Sequence, residues 1–324
     1  MRNVLVLGGT AWLGFEIAKQ LLVNGDTVTC LARGESGQSP VGATLVQADR
    51  KSPEGYASVS SQTWDEVIEV SYEPALVQGA LDALAGKAKH WTLISSVSVY
   101  ATNTDAGADE SAPLLEPIDL EDYGQAKVAA EQASQKALKD RLLIIRPGLI
   151  AGPGDGSDRF SYWVGRFALA GNEPVLSPMT DDRAVQVIDV EDLAVFIAKA
   201  GTEGITGVVN ATGDQHALAD VLALCADVAG FDGDIVGAAD EWLIEHDVRY
   251  WTGPRSLPLW LPRADVAFAQ RDNTAFHAAG GEVKDLRLTV QRTLDAERNL
   301  GLDRKLRSGL TRIEELELLN QLSP

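Results

Sequence analysis

A short apolar strand that breaks into a glycine turn and then a helix constrains this chain more than any other stretch. Asn3-Val4-Leu5-Val6-Leu7 reads as a buried strand and Gly8-Gly9-Thr10-Ala11-Trp12-Leu13-Gly14 as the turn. Phe15 to Leu22 follows with apolar residues at helical spacing. Glycines let the chain turn tightly and bring backbone N–H groups close to an anion, with no Cβ in the way. The helix that follows points its partly positive N-terminus at the same place. In a doubly wound sheet the anion held there is a pyrophosphate, which makes Gly8, Thr10, Ala11, Trp12, Leu13 and Gly14 the candidate contacts. A P-loop has the spacing of Gly9 and Gly14 but needs a lysine and a hydroxyl where Phe15-Glu16 stand, so that reading fails. Ala11 occupies the middle glycine position of the repeated-glycine spacing. The turn alone therefore also admits an ordinary strand-to-helix connection.

The pattern then repeats. Apolar runs at Thr27 to Leu31, Thr44 to Ala48, Asp65 to Val70, His90 to Ile94 and Leu142 to Arg146 alternate with helical or turn-rich segments, among them a helix from Pro74 to Ala88. Such alternation implies right-handed crossovers and a parallel sheet, the α/β class. Ligands of these sheets sit beyond the carboxyl ends of the strands. At the second strand end an acid would hydrogen-bond an adenosine ribose 2′-hydroxyl, whereas an arginine accommodates a 2′-phosphate. The chain has Arg33 and no acid at that strand end. This leans towards NADP over NAD, unless Arg33 is simply solvated. Asp49 and Arg50, at the third strand end, are further cofactor candidates: Asp49 can accept from the adenine amino group or merely cap its turn.

The fifth strand runs into Ser95-Ser96-Val97-Ser98-Val99-Tyr100, and a polar loop then leads to Tyr123-Gly124-Gln125-Ala126-Lys127 at the start of a helix. Residues four apart share a helix face, so Tyr123 and Lys127 lie together. An ordinary tyrosine, with a pKa of about 10, is a poor acid–base group near neutrality. An ammonium one turn away and an oxidised nicotinamide would both favour the phenolate. Ser96 can hold the same substrate oxygen while hydride moves. A lone Tyr-x-x-x-Lys is a weak signal; after a serine-tipped fifth strand and a glycine turn it is a strong one.

These pieces, with Glu131 and Arg146-Pro147-Gly148-Leu149-Ile150-Ala151-Gly152-Pro153, resemble the short-chain dehydrogenase/reductase superfamily in its extended, sugar-nucleotide-epimerase-like branch. The resemblance covers about half the chain. It implies a Rossmann fold with Ser96, Tyr123 and Lys127 in the catalytic positions, Ser96 being the hydroxyl four residues before Tyr100. It also implies cofactor contacts from Pro147 and Gly148 and from Val70, where Val70-Ser71-Tyr72 replace the usual alanine-rich segment. Residues 1–152 are then expected to form the dinucleotide-binding domain. Residues 153–324 are expected to form mainly a smaller C-terminal substrate lobe, with segments near 185–210 returning to the first domain. A homodimer through the helix carrying Tyr123 is the expected assembly.

Charge narrows the partners. Forty-seven acidic residues against 28 basic ones give a formal charge of −19, which repels nucleic acids and anionic membranes. A small-molecule substrate is expected, with no nucleic acid and no membrane partner. The first strand is expected from residue 3, which leaves no room for a signal peptide, and the expected location is cytoplasmic. Cys30 and Cys225 read as buried thiols, and the four histidines lack metal-ligand spacing, so no metal site is expected. Arg159 and Arg183 are candidates for a substrate phosphate or carboxylate, or else ordinary paired arginines. The aromatic, proline-rich stretch 250–262 fits core packing better than a lid, a pocket wall or an interface.

Three functions are compatible with these residues. The leading one is an NAD(P)-dependent oxidoreductase acting on a carbonyl/alcohol pair. The second is a nucleotide-sugar epimerase with tightly held NAD. The third is a non-catalytic dinucleotide-binding redox sensor, which has no need of Tyr123 and Lys127. Sugar dehydration wants an Asp-Glu pair after Ser96, where Val97-Ser98 stand.

Overall fold

The first apolar run forms β1 (Asn3–Leu7), whose side chains from Val4 to Leu7 are fully buried. That is the burial of a parallel strand covered on both faces. The computed structural model describes residues 1–322. The chain divides into two compact units, one of Met1–Gly148, Val190–Gly213 and Arg271–Glu282, the other of Leu149–Asp189, Asp214–Gln270 and the chain from Val283 onward.

The first unit is built on a parallel sheet. Its other strands are β2 (Thr27–Ala32), β3 (Thr44–Gln47), β4 (Trp64–Glu69), β5 (Ala88–Ile94), β6 (Leu142–Pro147) and a strand at Gly207–Ala211. Their spatial order is β3, β2, β1, β4, β5, β6 and then Gly207–Ala211, with every neighbouring pair parallel. The order reverses between β1 and β4, which opens a crevice at their carboxyl ends. Helix α1 (Trp12–Val23) packs with the helix Val190–Glu203, while α3 (Pro74–Leu84) packs with α4 (Tyr123–Leu138); a short α2 (Ala57–Ser60) lies between β3 and β4. The strands expected from the sequence are all present, their ends moved by at most two residues. Between α3 and the sheet, Trp64, Trp91, Val67, Leu81 and Leu84 form the core.

The second unit centres on the helix Ser161–Ala170, whose Tyr162, Trp163 and Phe167 are fully buried. The stretch 250–262 packs into this core: Leu257, Leu259 and Trp260 are buried, and Trp163 Nε1 donates to the Pro258 carbonyl at 2.8 Å. Arg183 is consumed there as well. Its guanidinium pairs with Asp240 and donates to the carbonyls of Met179 and Leu261, which removes it as a substrate anchor. Arg159 lies over the Trp251 ring at 5.2 Å and donates from Nε to Ser157 Oγ at 3.1 Å. Both cysteines are buried and unpaired. Among the described residues no helix is long and apolar enough to cross a membrane.

Candidate functional site

The glycine turn connects β1 to α1 in a space that tolerates no side chain at Gly14. A Cβ there would lie 2.2 Å from the Gly8 carbonyl oxygen, while Gly8 itself holds φ +102°, a backbone region that favours glycine. The turn is thus a cradle of bare backbone at the positive end of α1, the arrangement a pyrophosphate requires. Ala11 closes the first turn of the helix in extended conformation, its methyl exposed, so the missing middle glycine costs the turn nothing.

Gly8, Thr10 and Ala11 line a cleft of about 410 Å³ that continues along Arg33, Asp49, Arg50, Val70, Ser71 and Tyr72. The structure thus brings seven of the expected cofactor residues to one cavity. Trp12, Leu13 and Gly14 open α1 and are not among the residues that line the cleft. Pro147 ends β6, and the Gly148 N–H reaches the Ala211 carbonyl at 3.4 Å.

Each cation on this cleft already faces a carboxylate. Arg33 pairs with Glu35 at 3.0 Å, Lys51 with Glu73 at 2.6 Å, and Arg50 binds Glu69 through both terminal guanidinium nitrogens, Nη1 and Nη2. Asp49 adds a further negative group, one of its oxygens accepting from the Lys51 N–H at 2.9 Å, the turn cap that was its alternative role. The lean towards NADP drawn from Arg33 is therefore not supported, because Glu35 both occupies Arg33 and opposes a 2′-phosphate. Arg50 lines the same cleft and is fixed in place there. Its Nε donates to Tyr56 Oη at 2.9 Å and Nη2 to the Leu76 carbonyl at 3.1 Å, so its guanidinium builds the wall of the cleft.

Glu69 escaped notice in the sequence, although an acid ending a buried parallel strand demands a partner. It has no exposed side-chain surface, and Arg50 reaches it from beyond β3 across the ends of β2 and β1.

Ser95 and Ser96 take different paths. Ser95 Oγ donates to Glu131 Oε1 at 2.5 Å, and Glu131 is held by Arg146 through Nε at 3.0 Å and Nη2 at 2.7 Å. Arg146 also donates to Tyr100 Oη at 2.9 Å, and Tyr100 donates to Asn210 at 2.6 Å. Ser95 is thus part of a buried network that ties β5, α4 and β6. Ser96 stays outside it, capping the short turn Val97–Val99 by accepting from the Ser98 N–H at 3.1 Å.

Gly124 brings the tyrosine to this turn. A Cβ on it would meet the Ser98 carbonyl oxygen at 2.4 Å, so only glycine lets the first turn of α4 lie against residues 96–98. Asp122 caps the helix by accepting from the Gln125 N–H at 2.9 Å. Tyr123 is half-exposed and Lys127 is buried, its Nζ 5.9 Å from the Tyr123 ring centroid and donating to the Ile94 carbonyl at 2.5 Å. Burial pushes the Lys127 ammonium down to about 8, while the Glu69 and Glu131 carboxylates pull it back. A buried lysine beside an accessible phenol is the combination expected of a proton-handling site. Tyr72, which the sequence marked only as a bulky replacement, lies against both groups.

A model of the NAD dependent epimerase/dehydratase family matches residues 4–211. Solved structures share the fold. A Burkholderia cenocepacia J2315 protein described as a candidate epimerase is 23% identical, with TM-score 0.72 over 92% of this chain and 98% of its own. The Bordetella bronchiseptica enzyme WbmG in complex with NAD and UDP is 15% identical, with TM-score 0.69 over 93% and 96%. The Thermus thermophilus UDP-glucose 4-epimerase in complex with NAD is 17% identical, with TM-score 0.65 over 92% and 99%. No curated protein sequence matches the chain.

Proposed function

The chain belongs to the NAD-dependent epimerase/dehydratase family, and from that premise we propose that it is an oxidoreductase. In this reading it uses NAD to interconvert an alcohol and a carbonyl in a small-molecule substrate, with Tyr123 as the acid/base group. The observation that carries this reading is the seating of the Tyr123 end of α4 against the Ser96–Ser98 turn, with the Lys127 ammonium buried beside the phenol ring.

The backbone cradle of Gly8 to Gly14 fits a dinucleotide pyrophosphate, and the neutralised cleft fits an unphosphorylated ribose better than a 2′-phosphate. A bound nicotinamide supplies the hydride acceptor or donor. Ser96 donates a hydrogen bond to the substrate oxygen and orients it. Tyr123 takes the hydroxyl proton during oxidation and returns it during reduction. Lys127 holds positive charge beside the phenol and so favours its ionised form. Ser95, locked to Glu131, takes no part.

A second reading is a nucleotide-sugar epimerase, which uses the same three side chains twice on one substrate. The solved UDP-glucose 4-epimerase and the UDP complex named above favour it. The commitment of Arg183 to Asp240 weighs against it, because one of the two expected diphosphate anchors is then lost. One assay separates them: the purified protein is given NADH with a carbonyl panel, and separately UDP-glucose. Net consumption of NADH is the expected result. Sugar interconversion without net consumption would replace the oxidoreductase by the epimerase.

A further inference from the structure

Tyr72 borders both halves of the site, lining the dinucleotide cleft and touching the tyrosine–lysine pair. It follows β4, where the chain leaves the sheet, and its backbone is tied down on either side. Glu69 Oε1 accepts from the Ser71 N–H at 2.9 Å, and Ser71 Oγ accepts from the Glu73 N–H at 3.2 Å. Glu69 is itself clamped by Arg50. The loop therefore holds Tyr72 firmly without burying it, and 48% of the residue stays exposed.

That exposure argues against a packing role, since a half-open ring contributes little to a core. What the ring does touch is specific. It meets the Tyr123 ring edge-on, with centroids 5.2 Å apart and planes at 65°. This is the attractive edge-to-face arrangement of aromatic pairs. The Lys127 Nζ lies 5.9 Å from the Tyr72 centroid, as it does from that of Tyr123, so the ammonium is within cation–π reach of both rings.

Tyr123 opens α4 and is 44% exposed, and Tyr72 meets one flank of its ring. A proton carrier works only when its oxygen is held near the reacting atom. Water against the flank of the ring would also screen the Lys127 charge from the phenol oxygen. Tyr72 occupies that flank.

We propose that Tyr72 is a positioning residue for the acid/base group: its ring fixes the orientation of Tyr123 and keeps water from between Tyr123 and Lys127. The inference rests on the assignment of Tyr123 as the acid/base group. The ring makes both contacts, so Tyr72→Phe preserves them and Tyr72→Ala removes them. The carboxylates that act on Lys127 are Glu131 from α4 and Glu69 from β4, and neither is altered by either change.

The test is carbon NMR of the full chain with tyrosine labelled at the ring carbon that bears the hydroxyl, with and without NAD⁺. The Tyr123 signal is identified by its loss in Tyr123→Phe. The wild type and Tyr72→Phe are expected to share one Tyr123 signal position and one titration midpoint. In Tyr72→Ala the signal should move towards that of free tyrosine, and the midpoint should move by about one pH unit towards the ordinary tyrosine value. An unchanged signal and midpoint in Tyr72→Ala would overturn the proposal, as would a Phe variant disturbed as much as the Ala variant. Full turnover in Tyr123→Phe would instead remove the acid/base assignment on which the proposal rests, so the two failures are distinguishable.

Discussion

Tyr123→Phe is expected to lower turnover by about 10²–10⁴-fold, the usual contribution of a positioned acid or base. The change deletes one oxygen and keeps the ring that packs against Tyr72 and Lys127. NAD binding should persist, because Tyr123 lies outside the cleft lined by the glycine turn. The loss should fall on kcat and on kcat/KM together, since the interaction removed is one made in the transition state. A variant that turns over as fast as the wild type would refute the proposed role. The same substitution serves either enzymatic reading, because oxidoreductase and epimerase both need a group that carries the proton at the substrate oxygen.

The second large effect concerns stability. In Arg146→Ala the Glu131 carboxylate, with a side chain 1% exposed, loses the bidentate partner that neutralises it. Breaking a buried pair from one side costs about 3–5 kcal/mol, because a dehydrated charge is left behind. Tyr100 loses a donor as well, and Ser95 is left bonded to a carboxylate that has lost its guanidinium. Urea unfolding of the full chain measures the loss, and a change below about 1 kcal/mol would show that the network is not holding β5, α4 and β6 together. Replacing both partners by methionine should recover most of the stability, since apolar residues of similar volume leave no stranded charge. Single and double variants together separate the worth of the pair from the penalty of breaking it.

Legibility in the sequence followed the range of the interactions. Strand β1, the turn and α1 are local, so their apolar spacing and glycines announce them. The pairing of Tyr123 with Lys127 is local too, a matter of four residues on one helix. The choice of Ser96 over Ser95 rested on resemblance; the structure adds a physical ground, since Ser95 is bound to Glu131. The electrostatics of the cleft were not legible. Arg50 and Glu69 are 19 residues apart, one in the turn beyond β3 and the other at the end of β4, which is not a neighbour of β3, so no periodicity links them. Arg183 and Asp240, 57 residues apart, pose the same difficulty. The Arg33–Glu35 pair was hidden for a different reason: Glu35 is close in sequence, but whether its side chain turns back to the guanidinium depends on the path of the loop. Tyr72 was visible as a departure from small residues, yet its contact with Tyr123 depends on how β4 and α4 meet.

Under the proposed function the cleft beside the glycine turn holds NAD for chemistry at Tyr123. Release of whatever dinucleotide the purified protein retains, identified by mass spectrometry, tests this, with added NAD⁺ and NADP⁺ titrated calorimetrically into stripped protein. NAD as the released species, or tighter binding of NAD⁺ than of NADP⁺, is the predicted result. Binding of neither dinucleotide, or preference for NADP⁺, would contradict it.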